Sequence, residues 1–274
     1  MSKELEAFIE YITVIKALSP RTIEAYSYDL SDIEISSQKN LTEIDSNTVF
    51  QLLGTLSNKR TLNRKLSAFN SFLDFCHRNR FDHTSSKFLL SKVPKNLPKY
   101  LSFETIQSGL GLVDRSEWIG LRDYAMLLFL YATGVRISEC LAVEERDIEG
   151  EWLRIRHGKG EKERYVPIAK EALNALRAYQ EASPYHNRPH LWLNYRGESL
   201  SRISAFKITQ KYLGVSPHAL RHSYATALIL GGADLRVVQE LLGHASLLTT
   251  QIYTHVQKQN LQETVMNYHP MAHP

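Results

Sequence analysis

Cysteine is scarce in this chain. Among 274 residues only Cys76 and Cys140 carry a thiol, and they form no CxxC pair. That excludes a disulfide framework and a cysteine-rich zinc site, and it leads us to expect a reducing, cytoplasmic compartment. Long apolar runs are missing too. The longest, Ala125 to Ala132, falls far short of the roughly 20 residues a membrane-spanning helix needs, so no membrane partner is expected. The opening Met1-Ser2-Lys3-Glu4 lacks the apolar stretch of a signal peptide. There is no internal repeat and no low-complexity tract. A strong charge of one sign is also absent. The net charge is +4, with 13 basic against 11 acidic residues before Leu97 and 20 against 18 after it. That balance permits a nucleic-acid partner without demanding one, and any DNA surface has to come from clustering.

What is present reads as a soluble globular chain, 43% apolar and 23% charged. Ser91 to Lys99 holds Pro94 and Pro98 among lysines, which disfavours helix and suits an extended linker. It separates an expected N-terminal domain, residues 1–90, from a second one, residues 100–274. The first reads as a helical bundle. Leu5, Phe8, Ile9, Ile12 and Ile15 follow helical spacing, and Ser19-Pro20 suits the start of a second helix. A third helix is expected near residues 47–56. A fourth, about 58–78, lines up Leu62, Leu66, Phe69, Phe72, Leu73 and Cys76 on one face, with Lys59, Arg60, Arg64 and Lys65 at its start. Beyond the linker the pattern is mixed. A helix near 121–132 stops at Gly134, and strands at 152–156 and 164–168 flank a turn-rich tip, His157 to Lys162. A helix starting at Ser216-Pro217 ends at Gly231-Gly232, and Asp234 caps another that Gly243 stops. A short helix with Leu261, Val265 and Met266 apolar is expected in the tail.

Polar side chains at the borders of these elements could carry chemistry. Arg136 follows the Gly134 stop, and Lys159 sits between glycines at the hairpin tip. His218 and Arg221 lie three apart near a helix N-terminus, His244 follows Gly243, and Tyr253 comes nine residues later. Singly each is ordinary, since Tyr253 is one of 14 tyrosines and a lysine at a hairpin tip is usually just solvated. As a set they suit attack on a phosphodiester. Two arginines can clamp the non-bridging oxygens with planar, bidentate hydrogen bonds. A tyrosine, with a pKa of about 10, needs a base, and a neutral histidine serves. A departing 5′-hydroxyl needs a proton, which a lysine can give. The positive charge of the arginines removes the need for a metal or other cofactor. His218 and His222 also have zinc-ligand spacing, but Arg221 lies between them and the glutamate of an HExxH motif is missing.

Three stretches carry a resemblance. Tyr131-Ala-Thr-Gly-Val-Arg-Ile-Ser-Glu139, His218-Ala-Leu-Arg-His-Ser-Tyr-Ala-Thr226, and Leu241-Leu-Gly-His-Ala-Ser246 followed by Tyr253-Thr-His255 resemble, in order, the motifs of the tyrosine recombinase (lambda-integrase-like) family. Lys159 stands where that family keeps its hairpin lysine. The resemblance implies a mainly α fold with a small antiparallel β-sheet: an N-terminal helical (SAM-like) core-binding domain, then an α/β catalytic domain with a C-terminal exchange helix. It implies that Tyr253 is the nucleophile and becomes linked to the DNA 3′ end. Arg136, Arg221 and His244 would hold the phosphate, His218 would act as base and Lys159 as acid, and Glu139 would buttress the arginines. Arg60, Arg64 and Lys65 are expected against DNA phosphates.

Within the family the two-domain layout is most similar to the Xer recombinases. That implies a double-stranded DNA partner, a dif-like site and chromosome dimer resolution. It also implies a homo-tetramer or a hetero-tetramer with a paralogue, a tail docked on the neighbouring subunit, and a septal DNA translocase (FtsK). An integrase or transposon recombinase of a mobile element uses the same chemistry and stays open as an alternative. So does a type IB topoisomerase.

Overall fold

The computed structural model describes residues 1–92, 100–156, 163–243 and 255–272. The chain divides into two compact units, Met1–Asn96 and Leu97–Pro274. Among the described residues no helix is long and apolar enough to cross a membrane.

The first unit packs α1 (Lys3–Glu10), α2 (Pro20–Ser37), α3 (Ser46–Leu53) and α4 (Lys59–Asn79) around one core. Side-chain caps set the helix starts. Ser2, Ser19, Asp45 and Asn58 each accept from a backbone N–H of the first turn, which satisfies donors the helix itself leaves free. Pro20 fits the first helical position, where no N–H is needed. The expected α4 face is the buried one: Leu66, Phe69, Phe72, Leu73 and Cys76 pack inward, with Phe72 edge-on to Phe8 at 5.6 Å. After α4 the chain runs back along it. The amides of Asn70 and Asn63 each make a reciprocal pair with backbone, at Phe88 and Ser91, with all four bonds between 2.7 and 2.9 Å. Ser91, at the start of the expected linker, is therefore hydrogen-bonded to α4.

The second unit holds α5 (Phe103–Gly111), α6 (Trp118–Thr133), α7 (Ile137–Ala142), β1 (Ile148–Glu149), β2 (Trp152–Ile155) and β3 (Arg164–Pro167). The order continues with α8 (Lys170–Ala182), α9 (Arg202–Leu213), α10 (Pro217–Gly231), α11 (Leu235–Leu242) and α12 (His255–Tyr268). The three strands form one antiparallel sheet in the order β1-β2-β3, with Leu153 opposite Val166. Helix α6 is apolar on all sides and buried from Ala125 to Thr133, which makes it the axis of the core. Its buried Arg122 is matched by Asp123, 2.6 Å away, and by the Leu193 carbonyl at 2.9 Å.

The C-terminal tail lies on the core of its own unit. Leu261 and Val265 of α12 and Met271 beyond it are buried in the same core as α6. His269 is 1% exposed, its ring 4.8 Å from that of Tyr131 and 5.2 Å from that of Tyr224. What holds it there is apolar area: three large side chains and an uncharged imidazole are removed from water.

Candidate active site

Helix α6 ends at Gly134, which takes a left-handed conformation (φ 60°). A Cβ there would stand 2.3 Å from the Tyr224 ring, so the turn requires glycine twice over. The chain reverses, and Arg136 becomes the residue preceding α7. Glu139, three residues on, reaches back. One oxygen accepts from the Arg136 backbone N–H at 2.7 Å and the other from Arg136 Nη1 at 2.7 Å. Arg136 keeps 32% of its side chain exposed, whereas Glu139 is buried.

The partner that keeps buried Glu139 ionised is Arg164, the first residue of β3. Its Nη1 and Nη2 donate to the two Glu139 oxygens at 3.0 and 2.8 Å. Burial alone would raise the Glu139 carboxyl. The hydrogen bonds and charge of Arg164, helped by Arg136, outweigh it and hold the pKa at about 2.

Arg221 lies one turn into α10, itself buried, and its Nη1 donates to the Gly134 carbonyl at 2.8 Å. Burial, then the nearby Arg136, push its pKa down to about 10, which leaves it charged at neutral pH. His218, one turn before it, is exposed, and its ring meets that of His222 edge-on at 4.6 Å. Partial burial, then His222 and the two arginines, lower the His218 pKa below its ordinary 6.5.

The three arginines meet at the end of α11. Arg164 Nε donates to the Leu241 carbonyl at 3.3 Å, Arg221 Nη2 to that of Leu242, and Arg136 Nη2 to that of Gly243 at 3.3 Å. A helix C-terminus presents carbonyls without intrahelical partners and the negative end of the dipole, so it suits cations. Gly243 has φ 64°, and a Cβ there would lie 2.9 Å from Arg164 Nη1. Arginines from α10, β3 and the residue before α7 are thus held on consecutive carbonyls, immediately before His244 in the sequence.

The structure therefore brings together Arg136, Glu139, His218 and Arg221 of the expected set. Lys159, His244 and Tyr253 lie outside the described residues. Arg164 is the member that sequence reasoning missed. Its signal was the strand period of two, which puts it on the same sheet face as the fully buried Val166. In the first unit Arg60 is exposed at the start of α4. Arg64 pairs at 2.6 Å with Asp29, which is fully buried, and Lys65, 8% exposed, binds Asp32. Both pairs join α4 to α2, and Arg64 keeps 43% of its side chain exposed.

Two helical units, one of them holding convergent guanidiniums beside a neutral imidazole, define a protein that handles phosphodiesters. The chain belongs to the phage integrase family, the tyrosine recombinases: the family's sequence model matches residues 99–260, and that of the phage integrase N-terminal SAM-like domain matches 5–80. Among its relatives, Tyrosine recombinase XerD of Listeria innocua is 36% identical, over 99% of this chain and 100% of its own length. Tyrosine recombinase XerC of Bacillus licheniformis is 36% identical over 98% of this chain and 97% of its own length. Among solved structures, XerH site-specific recombinase bound to palindromic difH substrate, in its post-cleavage complex, aligns with a TM-score of 0.62 and 26% identity. That alignment spans 89% of this chain and 79% of that one.

Proposed function

We propose that this chain cleaves and rejoins double-stranded DNA at specific sites through a 3′-phosphotyrosine on Tyr253. The observation that carries the reading is the convergence of Arg136 and Arg221 on the last turn of α11, with His218 one turn from Arg221. The Tyr253 phenolic oxygen attacks the scissile phosphorus, and the bond to the 5′ oxygen breaks. His218, held neutral at pH 7 by its lowered pKa, accepts the phenolic proton. Lys159 protonates the departing 5′-hydroxyl. Arg136, Arg221 and His244 take up the charge that grows on the non-bridging oxygens, where losing one fixed donor costs about 10²–10³ in rate. The phosphotyrosine conserves the energy of the broken bond, so a second 5′-hydroxyl can reseal the strand without ATP, metal or other cofactor.

Near full-length likeness to XerC and XerD proteins supports an Xer-type role, the resolution of chromosome dimers at a dif-like site in the cytoplasm. The working assembly would be a tetramer on two DNA sites, homomeric or shared with a paralogue and regulated by a septal translocase such as FtsK. Arg60 is the first-unit residue best placed to meet phosphate, being exposed at a helix start.

The test is a nicked suicide duplex carrying a site that the protein itself selects from random sequence, incubated in EDTA. The wild-type chain forms a covalent adduct and Tyr253→Phe forms none. An adduct that persists in Tyr253→Phe, or one that EDTA abolishes, would overturn the reading.

A further inference from the structure

The buried Arg164–Glu139 pair is more than packing. Glu139 stands against Arg136, and left to itself a buried carboxylate there would neutralise the guanidinium the phosphate needs. Its Oε1 is shared between Arg136 Nη1 at 2.7 Å and Arg164 Nη1 at 3.0 Å, while Oε2 takes Arg164 Nη2 at 2.8 Å. The Arg164 side chain is 5% exposed, and its remaining described bond goes to the Leu241 carbonyl. Its donors point at Glu139 and α11, away from solvent, so it acts through another residue rather than on the substrate. The triad of Arg136, Glu139 and Arg164 carries a net +1.

We infer that Arg164 is a positioning residue for strand cleavage: by engaging both Glu139 oxygens it absorbs that carboxylate's charge, so that Glu139 orients Arg136 without cancelling it. The inference rests on the phosphotyrosine reading and names a residue that reading does not use. Without Arg164, Glu139 would turn its whole charge on Arg136, and the pair would face the phosphate as a near-neutral dipole. Two consequences follow. The loss should depend on the charge of the phosphate, and it should depend on Glu139 being ionised. A merely structural arginine would lose equally on charged and uncharged phosphate, so the first dependence separates the two roles.

The experiment measures the single-turnover rate of adduct formation on the self-selected suicide duplex. The scissile position carries either the natural phosphodiester or an uncharged methylphosphonate. The proteins are wild type, Arg164→Gln, Glu139→Gln and the double variant. Arg164→Gln is expected to lose about 10²-fold on the phosphodiester, the scale of one lost preorganised donor. It should lose at least tenfold less on the methylphosphonate. Adding Glu139→Gln should restore at least tenfold of the phosphodiester rate. Arg164→Gln alone leaves a buried carboxylate short of donors, which endangers folding. The comparison of Glu139→Gln with the double variant does not depend on that carboxylate: the double variant has no uncompensated charge, and Glu139→Gln leaves Arg164 on the Leu241 carbonyl, with the thermal midpoints of both checking that they fold. There Arg164→Gln should cost less than about threefold. Equal losses on both substrates, or a loss as large with Glu139 neutral as with Glu139 ionised, would overturn the inference. A wild-type rate in Arg164→Gln would do the same. Absence of any adduct with the wild-type chain would instead sink the phosphotyrosine reading, and the inference with it.

Discussion

Acid should loosen the C-terminal tail, and His269 sets how much. Its ring is enclosed by Tyr131 and Tyr224, and its Nδ1 accepts from the Met271 backbone N–H at 3.3 Å. Nε2 has no hydrogen bond among the described residues, and the nearby Tyr131 backbone favours the protonated ring less than burial disfavours it. Burial drives the pKa from 6.5 down to about 4. The docked tail therefore binds fewer protons than the undocked one between those values. Docking is at full strength above about pH 6.5 and weakens as the pH falls toward 4. A drop of this size corresponds to about 3 kcal/mol in all, at about 1.4 kcal/mol per unit. By pH 5 about 2 kcal/mol of it has gone, roughly a 30-fold rise in the opening equilibrium. Hydrogen exchange of the amides in 258–272, corrected for intrinsic rates, reads that equilibrium at pH 7.5 and pH 5. His269→Gln, which keeps an acceptor and cannot titrate, should open equally at both. A wild-type tail indifferent to this pH change would refute the reasoning, and so would a His269→Gln tail that kept the dependence.

Four other outcomes follow from the structure. The acid limb of the single-turnover cleavage rate should be centred below the ordinary histidine value, because partial burial, His222 and the two arginines disfavour the His218 cation; a limb centred above that value would contradict the role given to this base. Gly134→Ala forces a side chain into left-handed backbone and against the Tyr224 ring, so the thermal midpoint should drop with a loss of about 1–3 kcal/mol, together with adduct formation. Arg64→Ala should act on the fold, removing about 1–3 kcal/mol in urea titrations, since it strips the fully buried Asp29 of its partner while Arg64 itself is partly solvated. Arg60→Ala should leave stability alone and reduce the slope of log affinity against log salt by about 1, as for one phosphate contact; the reverse pattern for the two arginines would show the α2 pairs to be incidental.

Much of the architecture was readable where local chemistry and pattern agree. The α4 stripe, the Ser19-Pro20 and Asp234 starts, and the stops at Gly134 and Gly243 all depend on nearest neighbours. Elements that tertiary contacts create were not readable. Helix α7 is six residues long, too short to show a period, and is held by Glu139, which accepts from the Arg136 backbone N–H. Strand β1 is two residues long and exists because Ile148 and Glu149 pair with β2. The first-unit basic cluster was grouped by sequence proximity, although the helical period already separates its members. Lys65 falls four residues before Phe69 and seven before Phe72, on the buried stripe, where a lysine needs the carboxylate that Asp32 supplies. Arg136 and Arg221 were legible as candidates because each sits beside an element boundary. Arg164 was not, because a strand arginine beside a lysine-rich tip looks solvated until the alternation with Val166 is counted.

The last turn of α11 has one more consequence, which concerns drift in sequence. The arginines there are received by main-chain oxygens, and every residue type owns one. Positions 241 and 242 can therefore exchange one apolar side chain for another without touching the receptor, provided the core stays filled. Position 243 has no such freedom, since its backbone conformation and the guanidinium beside it both exclude a Cβ. A survey of substitutions across 235–243 should thus find a tolerant helix closed by a single intolerant residue, with the identity of the anion site stored in the path of the chain rather than in its side chains.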